Sequence, residues 1–186
     1  MRIAAILFAA LTLATPAWAQ QVTFTVGPET FTAPLPEGYC VPQGADVARM
    51  KSVGAALSAA DTPLALVSCG ATPDPLDYLI VIVPTDPALQ VRTRAEVLSD
   101  PAFANPGRAS GRGPPAGMGH DDLCGYIGGT RTLGGVDFSI VGCLSVFGTR
   151  TAGVYLTTRG DSSGAAIPGL KARARAFVMS VRQVAN

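Results

Sequence analysis

Apolar and polar positions alternate with period two through Val22-Thr-Phe-Thr-Val26, break at Gly27-Pro28-Glu29, and alternate again through Thr30-Phe31-Thr32-Ala33. Such alternation lines up one set of side chains on a buried face, so the stretch predicts an N-terminal β-hairpin that Pro34 and Pro36 bring to an end. The period then changes. Asp46 stands ready to cap a helix whose apolar stripe is Val47, Met50, Val53 and Leu57, and Asp61-Thr62-Pro63 should stop it. Two β-rich runs follow, Leu64–Cys69 and Tyr78–Val83, separated by the turn-rich Gly70–Pro75. Thr93 and Glu96 have capping-box spacing and predict a short helix through Phe103.

The pattern lapses between Asn105 and Gly119, where fifteen residues hold five glycines and three prolines together with Arg108 and Arg112. Nothing there matches a phosphate-binding loop, so 105–119 is expected to be a connecting loop. Beyond it, Gly129-Thr-Arg-Thr132 is echoed by Gly148-Thr-Arg-Thr151. The echo predicts two similar turn regions in a three-strand meander over about 121–131, 136–147 and 152–159. In the middle strand Val136, Phe138, Ile140, Leu144 and Val146 share one face, the expected core side. After Pro168 the helical period returns with Leu170, Ala174, Phe177, Val178 and Val181. Lys171, Arg175 and Arg182 fall on an adjacent stripe, the expected solvated flank of a core helix.

The first nineteen residues change the picture by giving the chain an address. Arg2 precedes an apolar run from Ile3 to Leu13, then Pro16 and the small-x-small triplet Ala17-Trp18-Ala19. This order predicts a secretory signal peptide at 1–19, cleaved after Ala19. The run is shorter than the roughly 20 apolar residues that span a bilayer. Removing 19 of 186 residues leaves 167, which suits a single α+β domain over 20–186. Basic residues drop from 14 to 13 against 13 acids, so the processed chain carries no formal net charge. It has no basic field to draw it to nucleic acid, and neither of its longest internal apolar runs could insert in a membrane. The one tryptophan, Trp18, leaves with the signal peptide.

All four cysteines, Cys40, Cys69, Cys124 and Cys143, lie in the exported part. In an oxidising compartment an even count predicts two disulfides, with three connectivities open. Sequential pairing is favoured. Cys40–Cys69 would span a strand–helix–strand unit, and Cys124 and Cys143 lie almost equidistant from a turn near Leu133-Gly134. The C-x-x-C spacing of zinc sites and thioredoxin-like motifs is absent.

Two strings could carry chemistry. Gly160-Asp161-Ser162-Ser163-Gly164 matches the G-x-S-x-G nucleophile elbow between a predicted strand and a predicted helix. It is also similar to the G-D-S-G-G serine of trypsin-like proteases, with the second Ser departing from that pattern. Its partners are wanting, because the single histidine, His120, precedes the serine, whereas elbow hydrolases place it last. A His120, Asp137, Ser162 set would follow the trypsin-like order, yet the chain is too short for two barrels. A turn is the expected reading. His120-Asp121-Asp122 could offer an imidazole and two carboxylates to a divalent metal, with Asp74 and Asp77 as further oxygen donors. Neighbouring strand residues point to opposite faces, so a surface loop-to-strand junction is expected instead.

Phe31-Thr-Ala-Pro-Leu-Pro-Glu-Gly-Tyr39 is similar to the phrase that opens PsbP-like domains, where an apolar strand runs into a Pro-x-Gly-aromatic corner before the first helix. The predicted element order resembles that fold over about 22–185. The Gly38-Tyr39-Cys40 corner with the later Cys69 also resembles exported proteins of Gram-negative bacteria. The resemblance implies an α/β/α sandwich, that is, a mainly antiparallel sheet with helices packed on it, and an accessory rather than catalytic role. It transfers no cofactor-binding or metal-binding residue. The sequence thus leads us to expect a periplasmic, non-enzymatic α+β protein that binds another envelope protein or a small ligand. The competing expectations are a small serine hydrolase using Ser162 and a ligand- or metal-binding module around His120.

Overall fold

The computed structural model describes residues 20–55, 60–70, 74–104, 116–160 and 163–185. Residues 1–19, where the signal peptide is expected, lie outside them, as do Leu57, residues 105–115 and Ser162. The hairpin forms as its alternation requires: β1 (Gln21–Val26) pairs antiparallel with β2 (Glu29–Pro34), and Val22, Phe24, Val26, Phe31 and Ala33 are buried. A two-residue strand, β3 (Tyr39–Cys40), leads into helix α1 (Ala45–Ala55). Strand β4 (Ala60–Ser68) begins earlier than expected, because Asp61-Thr62-Pro63 continues the strand rather than only stopping the helix. The register shifts between Asp61 and Leu64, next to the proline that has no N–H for the ladder.

Strand β5 (Tyr78–Pro84) is followed by a short helical turn, α2 (Pro87–Gln90), which Asp86 caps. The predicted capping box closes α3 (Arg94–Leu98): Glu96 N–H donates to Thr93 Oγ1 at 3.2 Å, and Thr93 N–H donates to Glu96 Oε2 at 2.6 Å. The helix expected through Phe103 breaks at Asp100-Pro101, since proline cannot continue the α3 ladder, and restarts as α4 (Pro101–Ala104). The C-terminal end of the expected loop is a strand, β6 (Ala116–His120).

Then come β7 (Gly125–Leu133), β8 (Val136–Phe147), β9 (Arg150–Arg159), α5 (Ile167–Ser180) and β10 (Arg182–Gln183). The β7–β8 turn is Gly134-Gly135, both at positive φ as a two-residue hairpin turn requires. The β8–β9 turn is Gly148-Thr149. The echoed strings are therefore not equivalent, because Gly129-Thr-Arg-Thr132 lies inside β7 while Gly148-Thr-Arg-Thr151 makes a turn.

Seven strands form one antiparallel sheet in the order β3-β4-β5-β9-β8-β7-β6, and β1-β2-β10 form a second, three-stranded sheet. The architecture is α+β and mainly antiparallel. One face of the large sheet packs against α5 and the hairpin in a single apolar cluster containing Leu66, Leu79, Val81, Val141, Val154, Leu156, Leu170 and Phe177. There Phe24, Phe31, Phe147 and Phe177 interlock, with neighbouring ring centroids 5.9–6.4 Å apart. The opposite face carries Val67 and Ile80 under Met50 of α1. Covered on both faces, β5 reads in sequence as an unbroken apolar run.

The facing of β8 is the reverse of the one expected. Ser139, Val141, Cys143, Ser145 and Phe147 are buried, while Val136, Phe138, Ile140, Leu144 and Val146 are half-exposed on the other side. Cys143 and Phe147 decide the matter, one through its disulfide and the other through the aromatic cluster. Of the two buried serines, Ser145 Oγ donates to the Leu123 carbonyl at 2.8 Å, whereas Ser139 Oγ has no partner among the described residues.

Candidate functional site

Pro36-Glu-Gly-Tyr39 closes a tight turn, with Tyr39 N–H donating to the Pro36 carbonyl at 3.1 Å and Gly38 at φ +80°. A left-handed third position is the reason glycine stands there. The turn drives Tyr39 inward until it is 3% exposed. Its hydroxyl donates to Asp77 Oδ1 at 3.1 Å and accepts from Arg173 Nη2 of α5, whose guanidinium also lies 5.0 Å from the ring centroid. Between this corner, the sheet and α5 runs a cleft of about 470 Å³. Leu79 and Leu156 form its floor, Pro34 and Pro36 one wall, and Ala176 and Phe177 the other. Apolar walls with a few converging polar groups, at this volume, are the ordinary make-up of a binding cleft.

The polar end of the cleft is formed by Tyr39, Asp77 and Arg173. Burial, and then the Asp77 charge, push the Tyr39 phenol far above its ordinary value, although Arg173 opposes them. The same burial and charge favour the neutral phenol, whose hydroxyl donates to Asp77. Among the described residues Nε and Nη1 of Arg173 have no partner, and its side chain is 46% exposed. Those donors are what the cleft can offer to an occupant.

A second cluster of the same three residue types lies on the other flank of α5. Asp121 Oδ1 accepts from the N–H groups of Leu123 and Cys124, and Oδ2 accepts from the Tyr126 hydroxyl at 2.7 Å and from Arg175 Nε at 3.1 Å. Burial pushes the Asp121 carboxyl up, but the Tyr126, Cys124 and Leu123 hydrogen bonds and the Arg175 charge outweigh it and hold the group below the usual range. Lys171 sits 4.3 Å from the Tyr126 ring centroid and donates to the Met118 carbonyl. The expected solvated stripe thus divides: Lys171 and Arg175 fasten α5 to the 118–126 segment, and Arg182 lies beyond the helix in β10. Each Tyr–Asp–Arg set adjoins a disulfide, Cys40–Cys69 for Tyr39 and Cys124–Cys143 for Tyr126.

The other sequence candidates do not converge. His120 is exposed at the end of β6, with Nδ1 3.3 Å from the Asp121 carbonyl oxygen. Asp121 and Asp122 are both engaged by Arg175, Asp74 by Arg159 and Asp77 by Tyr39. Among the described residues no group of three His, Cys, Asp or Glu could hold a metal. Asp137 stands opposite Thr132 while His120 stands opposite Gly125, seven residues down the same strand and about 23 Å away at strand rise. The His120, Asp137, Ser162 set is therefore not assembled at its first two members, and Ser162 is outside the described residues. Arg173 was missed in the sequence, although it lies three residues after Leu170 and four before Phe177. A cation inside the apolar stripe at helical spacing was the available signal.

No family model matches this chain, and no curated protein sequence does. Among solved structures the chain is similar to the crystal structure of LpqN, involved in cell envelope biogenesis of Mycobacterium tuberculosis. The TM-score is 0.40 at 16% identity, over 89% of this chain and 91% of that one.

Proposed function

We propose that this is an exported, periplasmic, non-enzymatic accessory protein that holds another envelope component in the cleft between the 34–39 corner and α5. The observation that carries the reading is the polar end of that cleft. A phenol that donates to a carboxylate, and a guanidinium with donors left free, are arranged to orient and hold a bound group. Two disulfides fit an oxidising compartment, and no helix among the described residues is long and apolar enough to cross a membrane. The PsbP-like phrase at Phe31–Tyr39 supports the accessory role, since that corner forms one wall of the cleft.

One experiment addresses both export and the lack of catalysis. Protein taken from the periplasm is incubated with a fluorophosphonate, and its intact mass is measured. The mass should begin at Gln20 and carry no adduct. A chain beginning at Met1, or stoichiometric labelling of Ser162, would contradict the reading.

A further inference from the structure

The two disulfides stand in opposite environments. Cys124 and Cys143 are 0% exposed, between β7 and β8 beneath α5. Cys40 and Cys69 are both exposed. Cys40 belongs to the edge strand β3, which is two residues long and pairs only with β4, through Tyr39↔Ser68 and Cys40↔Val67. Thiol–disulfide exchange requires a thiolate to reach a sulfur of the bridge, so access separates a bridge that exchanges in the folded state from one that needs unfolding.

We infer that Cys40–Cys69 is a thiol–disulfide exchange site on the folded protein, opened by a dithiol reductant while Cys124–Cys143 stays closed. One thiolate of the reductant attacks a sulfur of the exposed bridge, forming a mixed disulfide and releasing the other cysteine as thiolate. The second thiol of the reductant then resolves the mixed disulfide. The reductant ends as a disulfide, and Cys40 and Cys69 each gain one electron and one proton.

The exchange acts on the cleft because Cys40 follows Tyr39 directly. With the bridge open, residues 36–40 keep the turn hydrogen bond to Pro36, the Cys69 N–H to Gly38 carbonyl bond at 2.8 Å, the two-pair ladder and the Tyr39 contacts. The covalent tie of that wall to β4 is gone. Segments held by so few bonds open more often than the body of a sheet.

The test treats the oxidised processed protein with stoichiometric dithiothreitol under native conditions, alkylates it at intervals, and maps the label by peptide mass. Cys40 and Cys69 should become alkylated at least about tenfold faster than Cys124 and Cys143. Amide hydrogen exchange over 36–40 should rise about tenfold while β7, β8 and β9 are unchanged. Equal rates at the two bridges, or reduction only together with loss of the far-ultraviolet circular dichroism signal, overturns the inference. The double variant Cys40→Ser/Cys69→Ser should fold and show the same raised exchange. If it does not fold, the bridge is a structural staple and the inference fails. These readouts do not depend on whether the cleft binds anything, so this inference and the proposed function can fail separately.

Discussion

At the scale of single residues, the account rests on buried phenols that bond to charged partners. Tyr39→Phe keeps the ring and removes a hydroxyl bonded to both Asp77 and Arg173. Hydrogen bonds to charged groups contribute about 1.5–3 kcal/mol, so urea denaturation should show a loss on the order of 1–3 kcal/mol. An unchanged midpoint would mean that the hydroxyl is solvated in the folded protein. Asp121 makes a prediction in pH. Its folded-state carboxyl lies below the unfolded value near 3.9, so its contribution is present above that value and is lost as pH falls toward the folded value. Asp121→Asn should be less stable than the native protein at pH 7. It should also lose less stability between pH 5 and pH 2, which thermal melts across that range will show. Equal pH dependence in the two proteins would remove Asp121 from the account. Neither cluster was legible in the sequence, because Tyr39, Asp77 and Arg173 are joined only when the corner and α5 meet across the sheet.

At the scale of elements, local signals were readable and facing was not. The hairpin, the capping box and the last helix follow from nearest-neighbour chemistry, and the structure has them where the pattern predicts. The facing of β8 depends on Cys124 and Phe24 and so on partners far away in sequence. β6 was hidden because its glycines read as loop. Gly117 lies where α4 crosses the strand, and a Cβ there would stand 2.0 Å from the Ala102 carbonyl oxygen. The obstacle is backbone and cannot rotate away, so α4 must lift. Gly117→Ala should therefore cost about 1–3 kcal/mol in denaturant unfolding, in the range of overpacking changes. Gly38→Ala differs in kind, since nothing lies near its Cβ and its cost is the φ of +80° alone. A silent Gly117→Ala would show that α4 does not pack on β6.

At the scale of the whole molecule, two disulfides, a helix fastened on both flanks and a hairpin locked by four phenylalanines fix the wall and floor of one cleft. Both bridges are diagonal across their strands: Cys40 faces Val67 and Cys143 faces Tyr126, each two residues from its bonded partner. The sequence led to the same pairs by two routes: Cys124 and Cys143 lie almost equidistant from the short β7–β8 turn, while Cys40 and Cys69 bracket a strand–helix–strand unit. It did not reveal the cleft, which requires residues from the corner, β5, β9 and α5 together. The measurement that most directly tests the central claim is photocrosslinking in the periplasm. A photoreactive amino acid is placed at Ala176 in the cleft or at Leu89, which is 47% exposed on α2 beyond the opposite end of β5. The account predicts a discrete crosslinked species from Ala176 that is absent from Leu89 and weakened by Arg173→Ala. No species from Ala176, or the same species from both positions, would contradict it.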